Sequence, residues 1–366
     1  MEVLQGPTLI INSKKAQQNI LLFKEKANKL KADFRPHFKT HQSTTIGKWF
    51  KDQGISKIAT SSVDMAIYFA KDGWKDIMVA IPVNINEYKK INTLAKKIKL
   101  QIIIDSLEAI KEIQSRLNTK VEVLIEIECG YHRTGINYKE EEYIQKCIEQ
   151  LNSFKDTSFI GFLSHAGNTY EAKSITEIKQ IAKFHSDKLN ALKKLFTTNT
   201  FSPIISYGDT PSLSICPELI QCDEIRPGNF IFFDYMQYAL GACFINEISC
   251  YVACPIISKS KIRNELVIYG GAIHFSKEYA IDPDGDKIYG ICCLIKNREI
   301  QKVIPELKVT RLSQEHGIIT GPQKLLQTFA VGDFIGVIPI HSCLTMHNIK
   351  NIENENGKKI ISINTL

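Results

Sequence analysis

The sequence predicts an α/β protein: a (β/α)8 TIM-type barrel followed by an antiparallel β domain. Two patterns carry that prediction. Strand-like apolar runs alternate eight times with amphipathic helical stretches over roughly 230 residues, the rhythm of a closed barrel rather than an open doubly wound sheet. Beyond about residue 234 helical periodicity nearly vanishes, and short strand-like runs follow one another between Gly, Pro, Asn and Asp. A missing motif agrees with both. An open dinucleotide-binding sheet carries Gly-x-Gly-x-x-Gly after its first strand, and none stands there.

In chain order, residues 3–11 read as a strand interrupted by Gly6-Pro7, and Asn12 or Ser13 caps a helix running to about residue 30. Barrel strands are expected at 32–39, 57–60, 76–81, 100–105, 121–128, 159–164, 204–207 and 224–230. Helices are expected between most of them, at 43–52, 64–72, 86–97, 106–116, 139–152 and 174–196. The β domain follows with runs at 242–254, 265–270, 287–294, 306–312, 334–339 and 359–363. The expected organisation is a barrel over 13–234 and a β domain over 235–366, with the N-terminal strand of 1–12 joining the β domain's sheet.

A length of 366 residues suits two domains, and 44% hydrophobic residues supply ample core. The net charge of +7, from 46 basic and 39 acidic residues, comes from lysines spread over helix faces. No basic patch interleaved with aromatics suggests nucleic acid. No apolar run is long enough for a membrane span and no leader-like segment opens the sequence, so the cytoplasm is the expected location. There the ten scattered cysteines, Cys243, Cys250, Cys254 and Cys292 among them, should be mostly buried thiols.

Active sites of such barrels lie at the C-terminal ends of the strands, which sorts the chemistry-bearing residues. Strand 1 ends in Arg35-Pro36-His37-Phe38-Lys39-Thr40-His41. On a strand Arg35, His37, Lys39 and His41 share one face. Such crowding is unfavourable unless an anion sits there, and a lysine among cations becomes a usable amine. A basic strand end touching solvent is an equal reading of that spacing alone. Cys129, Tyr131, His132 and Arg133 follow strand 5, His165 ends strand 6, Gly208-Asp209-Thr210-Pro211-Ser212 follows strand 7, and Arg226-Pro227-Gly228-Asn229 belongs to strand 8. Loops after strands 7 and 8 often bind phosphate in barrels. Gly208 and Gly228 let backbone N–H groups approach an anion, and Thr210 or Ser212 can cap a following helix. Either turn alone is weak evidence. Beside a strand-end amine they point to a phosphorylated cofactor whose aldehyde needs a lysine, pyridoxal phosphate.

Near the end of the chain His341 and Cys343 alternate and would share one face of a strand. Imidazole and thiolate are both zinc ligands, but two donors make a half-site; on pattern alone a core cysteine beside a capping histidine is the stronger reading. His316 is a further candidate with a plain turn as its alternative. His185 reads as a structural or exposed helix residue, and Cys292-Cys293 as buried packing.

The stretch from Arg35 to His41 resembles the lysine motif of the D-threonine aldolase and D-serine dehydratase family, whose fold is of the alanine racemase type (fold type III). Glu224-Ile225-Arg226-Pro227-Gly228-Asn229-Phe230 resembles its phosphate-side motif, and Glu315-His316-Gly317 and His341-Ser342-Cys343-Leu344-Thr345 resemble its C-terminal motifs. The matches fall in order over nearly the whole chain. The resemblance implies that Lys39 holds pyridoxal 5'-phosphate, that Gly208, Thr210, Gly228 and Asn229 hold its phosphate, that His165 lies beside the ring, and that Arg133 or Tyr170 contacts cofactor or substrate. It also implies that His341 and Cys343 bind a divalent metal, reversing the reading from pattern; a soft thiolate favours zinc, with manganese the other option. This chain departs from the family at Gln42, where lysine is frequent, at Gln314, where an acid is common, and at Asp209. A carboxylate at Asp209 repels a phosphate unless it points away.

The implied activity is that of a lyase acting on a small D-β-hydroxy amino acid. In a dehydratase Lys39 removes the α-proton and the metal helps hydroxide leave, giving a keto acid and ammonia. In an aldolase a base such as His41 takes the hydroxyl proton and the Cα–Cβ bond breaks, giving glycine and an aldehyde. The cysteine ligand tips the resemblance toward the D-serine dehydratase type. A racemase needs a second base, usually a tyrosine, and residues 272–276 offer none, although Tyr279 is near. A non-catalytic carrier would not need the long β domain. The resemblance further implies a homodimer, with neither nucleic acid nor membrane as partner.

Overall fold

The structure, a computed structural model, describes residues 4–365. The chain divides into two compact units, one of residues 21–39 and 47–228, the other of 1–20, 40–46 and 229–366.

The first unit is the barrel. Its parallel strands are Asp33–Phe34, Lys57–Thr60, Asp76–Pro82, Lys99–Ile104, Val121–Glu128, Thr157–His165, Ile204–Gly208 and Glu224–Ile225. From Lys57–Thr60 onward each pairs with the next, and Asp33–Phe34 pairs with Glu224–Ile225. A bridge between His37 and Ala59, with Phe38 N–H donating to Ala59 O (2.8 Å) and Ala59 N–H to Pro36 O (3.0 Å), joins the first strand to the second and closes the ring. Strands covered on both faces read as continuous apolar runs, which is why they were visible in the sequence. Ala59, Met78, Ile103, Leu124 and Leu163, one from each of five successive strands, pack as one buried cluster. The helices Val63–Lys71, Leu107–Gln114 and Ile175–Phe196 begin where Ser62, Ser106 and Ser174 accept the N–H of Met65, Ala109 and Glu177 (3.1, 3.3 and 3.1 Å).

The first strand differs from expectation. It spans Asp33–Phe34 rather than 32–39, because Pro36 has no N–H for the ladder, and residues 38–40 turn. The alternation that would have put four basic groups on one face is therefore lost. Arg35 is 1% exposed and bound to Glu224 (Nε to Oε2, 2.6 Å) and Asp76 (NH1 to Oδ1, 2.7 Å). It is a structural ion pair within the barrel. The eighth strand likewise stops at Ile225, before Pro227.

In the second unit six strands close into an antiparallel ring in the order Glu265–Tyr269, His316–Thr320, Glu299–Leu312, Gly290–Lys296, Phe334–Pro339 and Cys250–Ser260, the last pairing back onto the first. Thr8–Ile11 pairs antiparallel with Cys250–Ser260 and parallel with Ile352–Asn354. Residues 1–3 lie outside the described residues. The expected run at 242–254 begins only at Cys250, and that at 359–363 reduces to a single bridge between Glu353 and Lys359. His316–Thr320 is a strand that the turn-like Ser313-Gln314-Glu315 sequence concealed. Residues 341–343 are not a strand: Ser342–Asn348 is a helix, with His341 at its N-cap position. All ten cysteines are free thiols, and eight of them are buried.

Candidate active site

In the barrel unit Lys39 sits in the turn after the first strand, its side chain exposed and its N–H donating to His37 Nδ1 (3.3 Å). His165 ends the sixth strand. Its Nδ1–H donates to Gly208 O (2.5 Å), leaving Nε2 as the acceptor. Burial first, and then the positive charge of Lys39, pushes His165 down to about 3. His37 is held well below the ordinary range by burial and then by Lys39, Arg226, His165 and Arg133. These groups form one electrostatic cluster in which the imidazoles are held neutral. Arg226 is buried, bonded to Ser206 Oγ (2.5 Å) and Ser164 O (3.1 Å), and burial lowers it to about 10. Arg133 stacks over Tyr131 (5.1 Å), whose ring meets His165 edge-on (5.7 Å). Gly167 leaves the room for it, since a Cβ there would lie 2.3 Å from the tyrosine ring. Tyr170 OH accepts the N–H of Thr210 (3.3 Å).

The turn after the seventh strand fits a phosphate. Thr210 Oγ1 is fully buried without a hydrogen-bond partner, a costly arrangement unless something polar completes it. A Cβ on Gly208 would come within 3.0 Å of Arg226 backbone and Cβ atoms, so only glycine lets this backbone close in. Asp209 does point away. Its carboxylate accepts from Ser212 N–H (2.6 Å), Ser212 Oγ (2.5 Å) and Thr169 Oγ1 (3.1 Å), capping the helix Thr210–Ile215, while burial lifts it to about 6. Gly228 follows Pro227 in the turn after the eighth strand.

In the second unit His341 Nδ1 is 2.6 Å from Glu278 Oε2, and the imidazole also hydrogen-bonds the Cys343 thiol. Burial disfavours both charges, yet the pair sustains them. Cys343 falls below the usual thiol range beside His341, and His341 rises to about 11 beside Cys343 and Glu278. Cys343 Sγ is 3.3 Å from Thr40 Oγ1 and 3.6 Å from Asn229 Nδ2. The Asn229 amide also reaches Asp234 Oδ2 (2.6 Å) and Ser342 Oγ (3.3 Å). An imidazole that meets a carboxylate at Nδ1 and also hydrogen-bonds a thiol is the setting of a metal-binding histidine. Among the described residues no group of three or more His, Cys, Asp or Glu is arranged for a metal ion, so His341 and Cys343 would supply two donors. No contact ties His316 to them; it is exposed at a strand start beside Ser313.

His41 is 1% exposed, its Nδ1 accepts Ser43 N–H (3.2 Å), and burial pushes it down to about 3. His185 is a core residue hydrogen-bonded to Ser164 Oγ (3.2 Å). Sequence reasoning did not single out Glu278, Asp234 or Thr40. The first two lie 63 and 108 residues from the groups they touch, and no local pattern marks them.

A parallel eight-stranded barrel and a separate antiparallel sheet unit are the architecture of the alanine racemase-like class of pyridoxal-phosphate enzymes. The alanine racemase N-terminal domain family matches residues 11–236, and the putative serine dehydratase domain matches 249–353. The chain is similar to D-serine dehydratase of Dictyostelium discoideum, 29% identical over 93% of this chain and 91% of that protein. D-threo-3-hydroxyaspartate dehydratase of Delftia sp. is 24% identical over 93% and 92%; its solved structure covers 99% of this chain and 98% of its own at a TM-score of 0.91. A cysteine-to-alanine mutant of that enzyme has been solved in the metal-free form. D-Threonine aldolase of Filomicrobium marinum shares the fold at a TM-score of 0.81 and 17% identity, covering 100% of this chain and 98% of its own. The chain belongs to the alanine racemase N-terminal domain family, with a putative serine dehydratase domain following in the same chain.

Proposed function

We propose that the protein is a metal-assisted lyase of the D-serine dehydratase type, converting a D-β-hydroxy amino acid to a keto acid and ammonia. One observation carries the reading. Thr40, the residue after Lys39 in sequence, has its hydroxyl 3.3 Å from the thiol of the His341–Cys343 pair.

Pyridoxal phosphate, when bound, supplies the electron sink that makes Cα–H acidic. Lys39 would hold it and then move the α-proton. The Gly208 backbone, the Thr210 hydroxyl and Gly228 would hold its phosphate; Asp209 is already engaged by Ser212 and Thr169. Neutral His165, fixed by Gly208 O, would lie beside the ring without adding charge, while Arg133 and Tyr170 would meet the substrate carboxylate or the cofactor. His341 and Cys343 would hold a divalent cation, zinc by the softness of the thiolate, whose chemistry is Lewis-acid assistance to a departing hydroxide. The aldolase reading would draw on His41, which is buried with its Nδ1 accepting Ser43 N–H. The racemase reading relies on Tyr279, which lies under the Lys287 ammonium (3.9 Å). The proposal extends to a cytoplasmic homodimer of twice the chain mass of 41.5 kDa; among the described residues no helix is long and apolar enough to cross a membrane.

Product analysis with D-serine and D-threonine in the presence of zinc tests the proposal. Keto acid and ammonia are expected. Glycine and an aldehyde would move the enzyme to the aldolase branch, and interconversion of D- and L-alanine without either product would make it a racemase.

A further inference from the structure

Three residues beyond Lys39, Gln42 takes a left-handed backbone (φ 47°). L-residues avoid that region, and one that stays there is held by its surroundings. Here much of the hold comes from the end of the chain. Ile363 N–H donates to Gln42 O (2.8 Å), Asn364 Nδ2 donates to Gln42 Oε1 (3.3 Å), and the neighbouring Ser43 Oγ donates to Ile361 O (2.6 Å). Gln42 is buried and Ser43 fully so. Local contacts exist as well: Ser43 N–H to His41 Nδ1 and Ile46 N–H to Ser43 Oγ (3.4 Å). Neither of these two reaches Gln42.

The same few residues are fastened along the helix Ser342–Asn348. Thr40 Oγ1 meets Cys343 Sγ near its start, and the Gln42 amide meets His347 Nδ1 (3.3 Å) near its end. Asn364 joins both partners: its amide donates to His347 O (3.1 Å) and to Gln42 Oε1 and lies 2.9 Å from His347 Nδ1. No strand of the antiparallel sheet extends beyond Asn354, so these tail contacts serve the turn rather than the sheet.

We propose that the C-terminal segment 361–364, acting through Asn364 and Gln42, is a strap that positions the cofactor lysine: it fixes residues 40–43, and with them the backbone from which Lys39 projects. Asn364 and Gln42 are positioning residues and touch neither cofactor nor substrate. The inference rests on the reading that Lys39 holds pyridoxal phosphate.

The test uses the full-length protein, Asn364→Ala and a chain ending at residue 360, each titrated with pyridoxal phosphate and followed by the visible band of the lysine-bound cofactor. Lys39→Ala runs beside them. Both strap variants should bind the cofactor about tenfold or more weakly, with kcat at saturating cofactor within about threefold of wild type and an unchanged unfolding transition for Asn364→Ala. A purely structural tail would lower the unfolding temperature and leave the dissociation constant alone. If the shortened chain does not fold, Asn364→Ala decides. A dissociation constant within about twofold of wild type in Asn364→Ala overturns the strap. Retention of the band in Lys39→Ala would instead overturn the anchor, a separate failure.

Discussion

Two histidines, one in each unit, face opposite fates. His165 is driven down to about 3 and His341 up to about 11. Both are desolvated, and burial works against the charge on each. What separates them is company. His165 shares its surroundings with Lys39, Arg133 and Arg226, while His341 has Cys343, Glu278 and Asp234. The lesson concerns ligands. A cluster that keeps its imidazoles neutral and its amine and guanidinium groups charged is built for an anion such as a phosphate or carboxylate. A cluster that holds a proton between imidazole and thiolate under a carboxylate is built for a cation, and a divalent metal would take the place of that proton.

The comparison can be broken from either side. The largest effect is expected for Lys39→Ala, which should cut turnover by at least about a thousandfold, since it removes both anchor and proton carrier; a coupled keto-acid assay with D-serine measures it. Cys343→Ala should follow, with a loss of about a hundredfold or more, and Glu278→Gln should weaken metal binding by about tenfold to a hundredfold through the orientation of His341, read by competition with a chromogenic chelator. Thr210→Val removes the hydroxyl aimed at the phosphate turn and should weaken pyridoxal phosphate about tenfold, with little effect on metal content.

The smallest effect is on stability. His41 and His185 are buried neutral, with native values of about 3 and about 4 against an ordinary 6.5. Below pH 6.5 the unfolded chain takes up protons that the native state refuses, so stability should fall as the pH drops toward 4, by roughly 1 kcal/mol per pH unit for each such histidine. Asp209 works the other way between about pH 4 and 6, because its native carboxyl holds its proton longer than the unfolded one. Two buried histidines outweigh it. The unfolding temperature of the cofactor-free protein should therefore be lower at pH 5 than at pH 7.5; equal values would mean the imidazoles are less buried than described.

The barrel was legible because its strands are covered on both faces and its helices carry serine caps. The turn after the seventh strand was legible because Gly208 sits where that strand ends. What stayed hidden depends on partners distant in sequence. Arg35 read as one of four crowded cations, yet Glu224 and Asp76, 189 and 41 residues away, bind it into the barrel. His341 and Cys343 alternate as a strand would, but Asp234 accepts the Ser342 N–H (2.9 Å) and starts a helix there. His341 and Cys343 still hydrogen-bond each other, because residues two apart also meet at a helix start. The bond from the Asn229 amide to Asp234 and its approach to the Cys343 thiol, 114 residues away, were hidden for the same reason.

The most direct test measures cofactor and metal content together in wild type, Lys39→Ala and Cys343→Ala. Two clusters of opposite character predict separable losses: Lys39→Ala keeps the metal and loses bound pyridoxal phosphate, and Cys343→Ala keeps the cofactor's visible band and loses the metal. Full metal occupancy in Cys343→Ala, or loss of both groups in either variant, would contradict the account.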